Sequence, residues 1–427
     1  MPCTTLKLSA RSDRRFIRST YRSNRFILAE IVAPYAHEQA ERRRPPVNLA
    51  FVLDRSGSMA GEKIRLAKQA VEYSIARLQS DDRFSIVTYD DVIDVVVAST
   101  TATAQARQEA LSRMASVDAR NQTNLSGGWL RGAEQVALHL DREGVNRTLL
   151  LTDGLANVGI TDRDQLAQHA AELRTRGVAT TTFGVGTDFD EVLLQAIATA
   201  GGGNFYYIAE ARSIADYVTS EVGEALDVVA RDVTLEISAP ESATVESLSA
   251  FSVERRGVRT VVSLGSIVAE QVIQVVLRLN LPLGELGRET GAVLALGDSA
   301  GLADGATQTM SWEYADSKTN DLQERDAEVG RAVARVFAAR ARQDATRLNR
   351  SGDFPAAQAA LDAVAKRIRS YAGRDPEMRA LIADLERDAS NLAAPMPAAA
   401  LKEMHFASYA TAKMRMADGK AFRRPSK

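Results

Sequence analysis

Between residue 47 and about residue 230 the chain alternates short, β-branched segments with helical ones, and this alternation constrains its fold more than any other feature. The strand-like segments are VNLAFVLD, RFSIVTYD, RTLLLTDG, VATTTFGVG and GNFYYIA. The stretches between them carry apolar residues three or four apart. In the first, Ile64, Ala67, Val71, Ile75 and Leu78 make one stripe. Repeated strand–helix alternation predicts an α/β doubly wound domain: a mostly parallel sheet with helices on both faces. DVIDVVVAST follows a strand with almost no gap. A parallel crossover needs more chain than that, so it is predicted as an antiparallel edge strand.

The flanks have a different texture. Residues 1–45 contain two strands, TTLKLSA and RFILAEIV, separated by the turn-prone Ser23 and Asn24, then a charged linker, Glu41 to Arg44, before Pro45 and Pro46. Residues 231–320 hold VTLEIS, RTVVSLG, VIQVVLRLNL, AVLALG and TMSWEY with no helices between them, which predicts an antiparallel β-sandwich. An isolated hairpin is marginal in water. The N-terminal strands are therefore expected to join the sandwich, making residues 46–230 an insertion. Residues 321–394 are Ala- and Arg-rich and read as a helical module, with helix starts at Asp353 before Phe354-Pro355 and at Asp375 before Pro376-Glu377. Ser351-Gly352-Asp353 marks the bend of a helical hairpin. Residues 395–427 carry Lys402, Lys413, Arg415, Lys420, Arg423, Arg424 and Lys427 against Glu403 and Asp418, and read as a mobile, mildly basic tail.

Composition narrows the function. With 427 residues, 45% hydrophobic and 25% charged, the chain can bury a sizeable core without disulfides or structural zinc. A net charge of -2 gives no global electrostatic case for nucleic acid. The one cysteine, Cys3, rules out an internal disulfide and fits a reducing compartment. No apolar run suits a signal peptide or reaches the roughly 18 residues of a membrane span. A soluble, cytoplasmic protein is expected.

The first strand ends at Asp54, and Arg55-Ser56-Gly57-Ser58-Met59 follows before the first amphipathic helix. In open α/β sheets, ligands bind at the carboxyl ends of strands. Alternate residues of a tight loop can aim Asp54, Ser56 and Ser58 at one point, with Gly57 freeing the backbone to turn. Ligation by oxygen alone favours Mg²⁺, Mn²⁺ or Ca²⁺ over zinc or copper. Two more oxygen-bearing residues are expected at the same rim: Thr123, in a loop before a helix, and Asp153, which ends an apolar strand and precedes Gly154. The bland reading is that Asp and Ser are common turn and cap residues, with Ser58 merely starting the helix.

Asp54-x-Ser56-x-Ser58, then Thr123, then Thr152-Asp153-Gly154 resembles the metal-ion-dependent adhesion site of von Willebrand factor A domains. The resemblance spans about residues 47–222, including FGVGTDFDEVLLQAIATAGGGNFYYI. The whole chain is similar to bacterial soluble proteins of this type, related to the A domains of inter-alpha-trypsin inhibitor heavy chains and chloride-channel accessory proteins. The resemblance implies that Ser56, Ser58 and Thr123 ligate metal through hydroxyls, while Asp54 and Asp153 act mainly through bound water. Neutral hydroxyls around a cation leave much of its charge uncompensated, so it seeks an anionic oxygen from outside, such as an Asp or Glu of a partner protein.

Other motifs are absent. Gly184-Val185-Gly186 lacks the third glycine of a dinucleotide fingerprint, Phe189 standing in its place. No Gly-x-x-x-x-Gly-Lys-Ser/Thr string exists, and His37, His139, His169 and His405 form no His-Glu-x-x-His motif. The expected function is a non-catalytic, metal-dependent binding or scaffold protein. Its rivals are an adaptor for a separate AAA+ ATPase and, less well supported, a metal-dependent hydrolase or phosphatase.

Overall fold

The computed structural model describes residues 5–35, 44–120 and 122–424. Cys3, His37, linker residues 41–43 and Lys427 lie outside the described residues. The chain forms two compact units, one comprising Met1–Gln39 with Asp232–Lys427, the other Ala40–Arg231.

The first unit begins with β1 (Lys7–Ser12), β2 (Phe16–Arg18) and β3 (Ser23–Val32). Ser23 and Asn24, expected in a turn, are instead the first residues of β3, where their register on a neighbouring strand extends the pairing that Phe26 to Val32 begins.

The second unit is a six-stranded sheet with helices between strands. Its elements are β4 (Val47–Asp54), α1 (Glu62–Ala76), β5 (Arg83–Tyr89), β6 (Ile93–Thr101), α2 (Ala104–Ala115), α3 (Leu125–Ala137), β7 (Val145–Thr152), α4 (Arg163–Thr175), β8 (Ala179–Val185), α5 (Glu191–Ala200), β9 (Gly202–Ile208) and α6 (Ile214–Leu226). The strand order is β6-β5-β4-β7-β8-β9. All neighbours are parallel except β6, which pairs antiparallel with β5 at one edge. Every residue of β4 and β7 is buried, as a central strand covered on both faces requires. The helical stripe of Ile64, Ala67, Val71 and Ile75 is buried too. Two close approaches depend on glycine. A Cβ at Gly128 of α3 would meet the Tyr89 ring at 2.3 Å, and one at Gly132 would meet Val52 Cγ2 at 2.2 Å. The missing side chains let α3 lie close over β4 and β5.

The chain then returns to the first unit with β10 (Val228–Ser238), β11 (Thr244–Ser247), β12 (Ser252–Arg256), β13 (Arg259–Val268), β14 (Val272–Leu281), β15 (Glu289–Gly297) and β16 (Thr307–Ala315). These make a four-stranded sheet, β1-β3-β14-β11, and a six-stranded sheet, β12-β13-β10-β15-β16-β2. All described pairs are antiparallel except β16 with β2. The short helix α7 (Ser317–Leu322) precedes α8 (Ala327–Arg350), α9 (Phe354–Ala372) and α10 (Pro376–Leu392). Asp353 and Asp375 cap α9 and α10 by accepting from the Ala356 and Met378 backbone N–H groups. The helices share a core with the sheet: Val329, Val333 and Val336 of α8 pack with Phe26, Leu28 and Val276.

Residues 395–427 are a correction to the sequence reading. They hold α11 (Ala398–Ala412), with Leu401, His405 and Tyr409 buried at four-residue spacing and Phe406 beside them. Beyond it, the Val272 N–H donates to the Phe422 carbonyl (2.8 Å) and the Arg424 N–H to the Glu270 carbonyl (3.0 Å). The basic residues after the helix dominate the composition of this segment, and the helix itself shows no strong apolar periodicity to mark it, since Lys402, His405 and Ser408 are buried along with Leu401, Phe406 and Tyr409.

Candidate metal site

Parallel order puts the carboxyl ends of β4 and β7 side by side at one rim of the sheet. Asp54 ends β4 and Asp153 follows Thr152 at the end of β7, and both carboxylates are completely buried. The loop after Asp54 is a 3-10 turn over Gly57–Met59, closed by the Met59 N–H donating to the Ser56 carbonyl (2.9 Å). The left-handed residue is Gly61, at φ 79°, rather than Gly57. The glycine that frees the backbone therefore stands at the entry to α1, four residues past the one the motif suggested.

The serine hydroxyls perform no capping. Gly61, not Ser58, precedes α1, and the Ser56 side chain makes no cap hydrogen bond to the turn it starts. Instead the Ser56 and Ser58 hydroxyls lie 3.2 Å apart, and Ser58 Oγ donates to Asp153 Oδ1 (2.7 Å). Thr123 is buried in the loop before α3. A Cβ placed on Gly154 would lie 3.4 Å from Thr123 Oγ1 and 3.7 Å from Ser58 Oγ, so both hydroxyls face the Gly154 backbone. All five residues singled out in the sequence thus come from three loops to one place. Ser56 is buried and Ser58 is exposed, so the cluster opens to solvent on the Ser58 side.

Both carboxylates are held by donors. Asp54 Oδ1 accepts from the Ser56 N–H (2.8 Å) and Oδ2 from Thr152 Oγ1 (2.6 Å). Asp153 Oδ1 accepts from Ser58, and Oδ2 from the Lys63 ammonium. Burial pushes the Asp54 carboxyl up to about 6; the hydrogen bonds from Ser56 and Thr152 pull the other way, and the Asp153 charge adds to the rise. A buried carboxylate that remains costly despite two donors is a fit environment for a cation. The donors are all hard oxygens, which suits Mg²⁺, Mn²⁺ or Ca²⁺. Among the described residues no group of three or more His, Cys, Asp or Glu is arranged to hold a metal, so no softer site competes.

Several positioning residues escaped the sequence reading. Arg55, inside the motif, is buried and reaches Asp90 (3.3 Å) and Asp94 (2.6 Å); Arg120 donates to Asp90 (2.6 Å). The Arg120 N–H also donates to the Arg55 carbonyl (2.7 Å), and the Asn124 N–H to the Asp90 carbonyl (2.8 Å). Burial alone would raise Asp90, but the hydrogen bonds from Arg120, the Val92 N–H and Arg55 hold its carboxyl below the usual value. This network ties the serine loop to the loop carrying Thr123. The Asn157 and Val158 N–H groups reach the Thr123 carbonyl (both 3.3 Å), tying in the loop after Asp153. Nothing local in the sequence marks these ties, because each joins residues tens of positions apart.

Comparison with known proteins identifies the domain that carries this cluster. Residues 48–220 match the von Willebrand factor type A domain family. The chain is 32% identical to the uncharacterized protein YfbK of Escherichia coli over 204 residues, 47% of this chain and 35% of that protein. It is 28% identical to inter-alpha-trypsin inhibitor heavy chain H1 of Mesocricetus auratus, over 47% of this chain and 23% of that one. The chain thus spans well under half the length of these relatives. Among solved structures, a von Willebrand factor type A protein from Catenulispora acidiphila aligns with a TM-score of 0.72 at 18% identity, covering 92% of this chain and 97% of its own. The ArnB paralog VWA2 from Sulfolobus acidocaldarius aligns with a TM-score of 0.60 at 16% identity, covering 91% and 98%. At such identities the likeness is one of fold, and it extends beyond the A domain to both units.

Proposed function

We propose that this chain, which carries a von Willebrand factor type A domain over residues 48–220, is a non-catalytic binding or scaffold protein that captures an acidic residue of a partner through a divalent metal. The observation that carries the proposal is the convergence of the Ser56, Ser58 and Thr123 hydroxyls at the carboxyl ends of β4 and β7, with Asp54 and Asp153 buried behind them. In this reading the three hydroxyls hold the ion, and the two carboxylates orient its surroundings. The ion, when bound, supplies a Lewis-acidic position for an external carboxylate oxygen. Mg²⁺ is our choice among hard cations, in a cytoplasmic setting where it is abundant.

The non-catalytic part of the proposal has its own support. Each of the four carboxylate oxygens of Asp54 and Asp153 already accepts a hydrogen bond from within the chain. These bonds commit both carboxylates to orienting groups of the chain, the role this reading gives them. The surface beside the cluster offers Leu155, which is 56% exposed and directly follows Gly154, as an apolar contact next to the charged one.

The test is affinity capture from the native cell extract with the full chain in Mg²⁺. The expected result is a specific protein retained in Mg²⁺, released by EDTA and not retained by the Ser58→Ala chain. A retained set indifferent to both EDTA and Ser58→Ala would overturn the proposal.

A further inference from the structure

We infer that Lys63 is a built-in competitor for the cation: its ammonium and the divalent ion contend for Asp153, so that this one side chain sets the metal affinity of the site. The inference rests on the metal-site reading above. The Lys63 ammonium donates to Asp153 Oδ2 and lies 3.3 Å from the Ser58 carbonyl oxygen. It thereby brings a full positive charge to a completely buried carboxylate that also accepts from a proposed metal-ligating hydroxyl. A buried carboxylate needs such a counter-charge, and a divalent ion beside Ser58 would offer the same service to the same group. The two cations cannot both approach without repelling each other.

Two features separate this from an ordinary surface ion pair. Lys63 is the second residue of α1, at the helix end where aligned backbone dipoles oppose a cation; Glu62, just before it, is the residue type that end favours. Helix chemistry does not account for a lysine there, and the pairing with Asp153 does. Gly186, in the loop after β8, stands opposite: a Cβ at that position would lie 3.9 Å from Lys63 Nζ, and its φ of 75° keeps the position suited to glycine. The rim therefore leaves room for the ammonium. The Lys63 side chain is 29% exposed, on a flexible four-carbon stem, so it has a route into solvent when displaced.

Mn²⁺ binding to the full chain, read by the loss of the free-ion electron paramagnetic resonance signal, tests the inference. Wild type is compared with Lys63→Met, Lys63→Gln and Lys63→Arg, with folding checked by circular dichroism. The neutral variants are expected to bind Mn²⁺ about tenfold tighter, the scale of one screened like-charge contact at short range. Lys63→Arg, which keeps the charge, should stay close to wild type. Binding to wild type with no gain in either neutral variant, or an equal gain in Lys63→Arg, overturns the competitor role and leaves the metal site standing. No Mn²⁺ binding by any of the four proteins sinks the metal reading itself, and the Lys63 inference with it.

Discussion

Asp54 shows how closely the cluster depends on single atoms. One of its oxygens is satisfied by Thr152 Oγ1 at 2.6 Å inside a fully buried environment. Thr152→Val keeps the shape and removes the donor, leaving a buried carboxylate oxygen short of a partner. The expected cost is roughly 1–3 kcal/mol of stability, read from chemical denaturation; an unchanged midpoint would show that Asp54 has no need of this bond. Thr152 was visible in the sequence only as part of a motif, without a role. The ligand candidates were legible because Asp54-x-Ser56-x-Ser58 stands between a strand and a helix, with Thr123 and Asp153 expected at the same rim of the sheet. Lys63 and Thr152 were not, since their partners stand 90 and 98 positions away. The motif even misdirected attention at Gly57, where the backbone freedom it suggested belongs to Gly61.

The elements of the A domain were legible from local pattern. Strands buried on both faces need continuous apolar runs, the helices between them need an apolar stripe, and the short gap before Ile93 permits only an antiparallel partner. Short strands such as β2, β11 and β12 went unseen, because three to five residues cannot display a period. The helix α11, charged only at Lys402 and Glu403, was read together with the basic residues that follow it. How α6 is held to the sheet was equally hidden. Glu221 of α6, fully buried, accepts from Arg147 of β7, from Thr181 Oγ1 of β8 (2.7 Å), and from Asn204 Nδ2 (3.1 Å) and Tyr206 OH (2.6 Å) of β9. One carboxylate thus gathers three strands under the helix. Glu221→Ala would strand the buried Arg147 guanidinium, and the expected loss is about 3–5 kcal/mol. A loss below about 1 kcal/mol in a denaturant titration would mean that water or a neighbour replaces the carboxylate readily.

At the scale of the whole molecule, the sequence marked where texture changes but not which distant strands pair. β3 lies between β1 and β14, and its partners in β14 are some 240 residues further along the chain, Val32 against Val272 and Ser23 against Leu281. An apolar alternation says that a strand needs a neighbour and is silent about which one. The argument that a lone hairpin is marginal pointed toward the later β-rich region, and the registers above are what that argument could not supply. The same chain-wide view frames the central claim, that the A domain binds one divalent ion at the Ser56, Ser58 and Thr123 hydroxyls. An ion that binds only the folded chain stabilises it by mass action, about 2.7 kcal/mol at one hundred times its dissociation constant. For a domain of this size that corresponds to a rise in melting temperature of roughly 5 °C or more. The measurement is the thermal unfolding of the full chain against Mg²⁺ and Mn²⁺ concentration, for wild type, Ser56→Ala and Asp54→Ala. The account predicts a saturable rise for wild type and none for the two variants, both still folded. A wild-type melting temperature indifferent to either ion up to millimolar concentration, or an equal rise in all three proteins, would contradict it.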